Sequence, residues 1–134
     1  MPLMYSQLVA AVLLLFVMII VQGAAGALHH GPILLGSRDK LEKEDSVLAA
    51  RTKRATANML ENMMLFVPLV IVAVETGQTT ATAEFGAGLF LGARIVYALA
   101  YWFVIPMLRP AAWLTGLVGT LMVASQILPF LERI

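Results

Sequence analysis

The sequence predicts an all-α fold, an integral membrane bundle of four transmembrane helices, and three observations carry that reading. Of 134 residues, 60% are hydrophobic and only 13% charged, more apolar surface than a soluble fold of this size can hide. Four apolar runs, at about 4–27, 55–74, 85–107 and 111–131, are each long enough to cross roughly 30 Å of hydrocarbon. The runs are too long and unbroken for barrel strands, and a lipid-exposed backbone that cannot form a barrel must satisfy its own hydrogen bonds in helices. With a connecting loop at about 28–54, they fill residues 1–134 as one domain.

The first run is followed by small residues from Gly23 to Ala27, as a cleavable leader would be. No Lys or Arg precedes Leu8, however, and the run is longer than the apolar stretch of a leader, so a retained first helix is expected. The next segment is the only strongly charged one: Arg38, Lys40, Lys43, Arg51, Lys53 and Arg54 are set against Asp39, Glu42, Glu44 and Asp45. The second loop, from Glu75 to Glu84, has no basic residue, and the third is expected as a tight turn around Arg109 and Pro110. Loops one and three therefore face the cytoplasm, and loop two and both termini face the other side, with Arg133 dissenting.

Pro68 falls inside the second run, where it should remove one backbone bond and permit a kink. Gly88 and Gly92 in the third run, and Gly23, Gly26, Gly116 and Gly119 elsewhere, allow close helix approach either within one subunit or between subunits. Four helices alone enclose little room for a ligand, which favours an oligomer. The absence of cysteine excludes disulfides and any Cys-based metal site or nucleophile. His29 and His30 are adjacent and point to different faces of a helix, so no metal site is expected. No nucleic-acid partner is expected either. Met59, Met63 and Met64 suit packing, and Trp102 and Trp113 suit a membrane boundary.

The informative residues are polar ones inside apolar helices. Arg51, Arg54, Asn58 and Glu61 follow helical spacing along one face of the second helix, and Arg94, Tyr97 and Tyr101 do the same on the third. At about 1.5 Å per residue, Glu61 should lie roughly 10–15 Å inside the cytosolic end, with Tyr97 at a similar depth. A charge there costs several kcal/mol unless paired or wet. Glu61 and Arg94 could pair and fix helix register. Arg51, Arg54 and Arg109 would still leave surplus positive charge with one intramembrane carboxylate among them, and that surplus implies an anionic partner. Arginine suits carboxylates because its planar fork donates two parallel hydrogen bonds.

The string RATANMLENMMLFVPLV, from Arg54 to Val70, resembles the second helix of the MAPEG family, the membrane-associated proteins of eicosanoid and glutathione metabolism. ARIVYALAYWFVIPMLR, from Ala93 to Arg109, resembles that family's third helix and the turn after it. The resemblance implies a homotrimer of four-helix subunits that binds glutathione between neighbours near the cytosolic face. By position, Arg54, Asn58 and Glu61 would hold the tripeptide, with Tyr97 and Tyr101 contacting it from the other helix. Arg109 would lie near the thiol, and Arg51 and Arg94 complete the expected binding set. A guanidinium beside the sulfur favours thiolate over thiol. The chain departs from the leukotriene-forming branch at Thr56 and Asn62, where that branch carries glutamine and tyrosine. Ala27, Leu28, His29 and His30 also stand where eicosanoid enzymes carry an arginine. The short chain looks more like bacterial members, and so implies an inner-membrane location.

Two functions follow as expectations. One is a glutathione-dependent transferase or peroxidase acting on lipophilic electrophiles dissolved in the membrane, with Arg109 as the catalytic residue. The other is a non-catalytic membrane protein whose buried Arg/Glu/Tyr network serves assembly or small-anion binding. A transporter is disfavoured, because so little intramembrane acid offers few ion-coupling groups.

Overall fold

The computed structural model describes residues 2–30, 46–105 and 107–132. The charged residues at 38–45, the side chains of His29 and His30, Pro106 and Arg133 lie outside them. Four helices follow one another: α1 Leu3–His30, α2 Val47–Glu75, α3 Ala81–Trp102 and α4 Leu108–Leu131. All four are long and apolar enough to cross a membrane, in keeping with the expected four-helix membrane bundle.

Local chemistry moves the expected boundaries. α2 starts at Val47 rather than at about 55, because Ser46 in extended conformation caps it and accepts from Ala49 N at 3.0 Å. Its 29 residues make about 43 Å of helix, longer than the hydrocarbon, so the Arg51 to Arg54 turn extends the helix towards water. Glu61 accordingly lies about 21 Å along α2 from its start, not 10–15 Å. α2 stops where Gly77 adopts φ 73, a left-handed conformation that glycine takes without penalty. α3 starts at Ala81 rather than 85, capped by Thr80, which accepts from Ala83 N at 3.1 Å, and Glu84 in its first turn complements the helix dipole.

The third connection also differs. Arg109 and Pro110 are not in a turn but in the first turn of α4, and α3 ends at Trp102, ahead of the expected 107. Proline is tolerated at 110 because the first N–H groups of a helix have no partner within it. The chain reverses at Val104, whose φ of 58 is a left-handed conformation rarely adopted by a β-branched residue.

α3 and α4 form the most extensive interface. It depends on two glycines: the Gly119 Cα sits against the Gly86 carbonyl, and a Cβ at 119 would also come within 2.8 Å of Phe90 N. The close approach is therefore within one subunit. Its partner on α3 is Gly86 and not Gly88, which faces Gln7, or Gly92, where a Cβ would meet nothing within 4 Å. Phe66 of α2 stacks on Phe90 of α3 with centroids 3.9 Å apart, so the same turn of α3 packs on both α2 and α4. α1 leans mainly on α2 and leaves Leu13, Phe16, Ile20 and other large apolar side chains outside, a surface suited to lipid. At the loop-two end, Tyr5 donates to Glu75, Gln7 donates to the Glu84 carbonyl at 3.0 Å, and Thr80 donates to Gln126 at 2.9 Å.

Gly119→Ala is expected to lower stability by about 1–3 kcal/mol, read as a lower melting midpoint in detergent. Gly92→Ala, whose Cβ meets open space, should melt no lower than the parent.

Candidate functional site

The buried face of α2 is Ala49, Thr52, Ala55, Thr56, Met59, Asn62, Met63 and Phe66, one helical stripe. The predicted polar stripe lies beside it: Asn58 and Arg51 are half-buried, and Arg54 and Glu61 are exposed. On α3, by contrast, Arg94 and Tyr97 are core residues, Arg94 at 1% exposure and Tyr97 at 7%. Where α2, α3 and the start of α4 meet, Asn58, Tyr97, Tyr101, Arg109, Pro110 and Trp113 line an open cleft of about 410 Å³, a size usual for small-ligand sites.

The cleft gathers cations around aromatic rings. Tyr97 and Tyr101 stand 5.5 Å apart at 42°. The Arg109 guanidinium lies 4.9 Å from the Tyr101 centroid and that of Arg54 lies 5.8 Å from it. Such placement uses the negative face of the ring to hold guanidinium groups in place. The Arg54 Nε also donates to the Tyr101 hydroxyl oxygen at 2.9 Å, which leaves the hydroxyl proton free to donate elsewhere. None of the six cleft-lining residues is a carboxylate.

Arg94 stands behind this wall rather than in it. Its guanidinium lies 4.3 Å from the Tyr97 centroid, donates from Nη2 to Asn58 Oδ1 at 2.8 Å, and directs Nε at Met59 Sδ, 3.3 Å away. The expected Glu61–Arg94 pair does not form: Glu61 is exposed, and Arg94 takes a neutral amide oxygen instead. Geometry gives the reason. Asn58, on the inner edge of the polar stripe, reaches Arg94, whereas Glu61 is turned outward, within electrostatic range of Tyr97.

Of the residues expected at a site, then, the structure brings together Asn58, Tyr97, Tyr101 and Arg109 in the cleft, with Arg54 on Tyr101 and Arg94 behind Asn58. Arg51 and Glu61 are not among the lining residues. Trp113, read from sequence as a boundary residue, lines the cleft four residues after Arg109, and that spacing was the available signal. Asn62, four residues after Asn58, donates to the Asn58 carbonyl at 2.8 Å and to its Oδ1 at 3.2 Å. Thr56 turns away and donates to the Thr52 carbonyl at 2.9 Å and the Met18 carbonyl at 3.3 Å, tying α2 to α1. Among the described residues, no three His, Asp or Glu side chains come together in a way that could hold a metal.

A model of the MAPEG family matches residues 5–128. The chain belongs to the MAPEG family. Comparison with curated proteins and with solved structures returned no match. As a MAPEG protein with four apolar helices it is a multi-pass integral membrane protein in a lipid environment. MAPEG membership suggests a glutathione-related transferase or peroxidase function, since the family generally uses glutathione.

Asn58→Leu removes the only oxygen bonded to Arg94 among the described residues. It is expected to destabilise the protein by about 2–4 kcal/mol, because a buried charge is then left unpaired. Glu61→Gln, on the exposed side of α2, should change stability by less than about 0.5 kcal/mol. Thermal melting in detergent measures both.

Proposed function

We propose that this protein is a membrane-bound glutathione-dependent transferase that activates the glutathione thiolate for attack on lipophilic electrophiles. The carrying observation is the cleft wall, in which Arg109, Tyr101, Tyr97 and Asn58 converge, Arg54 is held against Tyr101, and no lining residue is a carboxylate. Such a wall favours a ligand that is itself anionic. Glutathione fits by chemistry: its carboxylates and thiolate suit guanidinium, hydroxyl and amide donors. Its ammonium would suit Glu61, exposed near the same site.

In this reading Arg109 is the catalytic residue and lowers the thiol pKa by stabilising the thiolate. Arg51, Arg54, Asn58, Glu61, Tyr97 and Tyr101 hold the tripeptide. The thiolate attacks an electrophilic carbon, a carbon–sulfur bond forms, and the leaving group departs with its electron pair. The same thiolate can attack a hydroperoxide, breaking the O–O bond and releasing an alcohol. A second glutathione then reduces the oxidised sulfur, giving the disulfide and water. Low-polarity substrates reach the cleft from the bilayer.

The protein works as a homotrimer with glutathione between neighbouring subunits. Arg54 and Glu61, exposed on one protomer, support a site that a second copy completes. The termini face away from the cytoplasm, and the membrane is a bacterial inner membrane. A second reading draws on the burial of Arg94: the network serves assembly or holds a small anion without turnover.

Arg109→Ala should lower conjugation of a generic aromatic electrophile by at least about tenfold at neutral pH. It should also shift the pH–rate profile towards alkaline pH, because a thiol without its cation ionises at higher pH. Arg54→Ala should weaken glutathione binding. Unchanged conjugation in both variants would overturn this assignment of the site, and no conjugation by the parent would leave the non-catalytic reading. Native mass measurement in detergent tests the trimer.

A further inference from the structure

Asn58 could present either end of its carboxamide to the cleft, and the surrounding bonds decide which. Asn62 lies 2.8 Å from the Asn58 carbonyl oxygen, which only accepts, so Asn62 must offer its Nδ2 there. The same Nδ2 is 3.2 Å from the Asn58 side chain, and Arg94 Nη2, which only donates, is 2.8 Å from that atom. Two donors converging on one atom require it to be oxygen. The Asn58 Nδ2 is then left over, unused by any bond among the described residues, on a residue that lines the cleft.

We propose that Asn62 and Arg94 are positioning residues that grip the Asn58 carboxamide by its oxygen and turn its Nδ2 hydrogens into the cleft, where they donate to an anionic oxygen of the ligand. The proposal rests on the glutathione reading of the site and gives Arg94 a role at one remove from the ligand. Its charge polarises the Asn58 amide, which makes the cleft-facing hydrogens better donors. A second observation points the same way: Arg94 is 1% exposed, and its Nη1 has no hydrogen-bond partner among the described residues. The buried charge therefore lacks a counterion among the described residues, and an anion beyond Asn58 would supply part of one. Asn62 and Arg94 are absent from the cleft lining, so each would act on the ligand only through Asn58.

Asn58→Asp separates the two faces of this arrangement. One carboxylate oxygen would still accept from Arg94 and Asn62, and give Arg94 the opposite charge it lacks. The other would face the cleft as an acceptor where a donor had been. The variant should therefore melt higher than the parent, yet bind glutathione about tenfold or more weakly than Asn58→Ala does. Asn62→Leu should weaken glutathione binding about three- to tenfold in the parent and add little further loss in the Asn58→Ala background, as expected for residues acting in series.

A lower melting point for Asn58→Asp than for the parent would overturn the grip on the oxygen, whatever glutathione does. Binding by Asn58→Asp as tight as that by Asn58→Ala would overturn the cleft-facing donor. Equal losses from Asn62→Leu in both backgrounds would overturn the serial role of Asn62. Should the parent bind no glutathione, the reading of the ligand falls, and the melting order of parent and Asn58→Asp still decides the clamp.

Discussion

A guanidinium with 1% of its residue exposed, inside a bundle that spans hydrocarbon, cannot be left without partners, and the arrangement around Arg94 organises three of the four helices. α2 supplies Asn58 and Met59 as acceptors, α3 supplies the Tyr97 ring, and α4 sets Gly116 beside the arginine stem. A Cβ at Gly116 would meet the Arg94 Cδ at 3.6 Å, an ordinary packing distance, so α4 packs directly against the arginine stem. One helical turn away, Phe90 stacks on Phe66 and sits over Gly119. The apolar contacts set the spacing of the helices, and the buried cation sets which polar groups they must turn inward.

The cleft follows from that order. Because Arg94 takes Asn58 by its oxygen, and Tyr101 accepts from Arg54, the groups left at the surface of the cleft are hydrogen-bond donors and cations. A wall of this sort does little by itself for stability in a membrane. It leaves positive charge near hydrocarbon, which a bound anion would offset.

Most of the fold was legible because lipid narrows the choices: four long apolar runs leave the backbone no alternative to helices. Helix ends were less legible. Hydropathy marks where the membrane stops, whereas Ser46, Thr80 and Gly77 mark where the helix does, and the two differ when a helix runs on into the headgroup region. Arg109 was misplaced into a turn for a related reason, since Pro110 reads as a breaker but is harmless in a first turn. The small-residue pattern identified Gly119 yet missed Gly86, because spacing along one helix does not say which face meets the next.

At the site, helical periodicity put Asn58, Tyr97 and Tyr101 forward as companions, surplus positive charge at the same membrane face added Arg109, and the family resemblance named the ligand class they suit. Residue type and spacing are enough for that, because in lipid a polar side chain must point at protein or water. Periodicity could not choose between Glu61 and Asn58 as the partner of Arg94, nor see that Asn62 would share in holding Asn58. Both depend on how far α2 is rotated against α3, a matter of tens of degrees set by packing around Phe66 and Phe90. The sequence by itself determined the membrane, the helices and the chemical character of the site. Only the tertiary structure decided which polar atoms face each other, because hydrogen bonds are short and directional while hydropathy is neither.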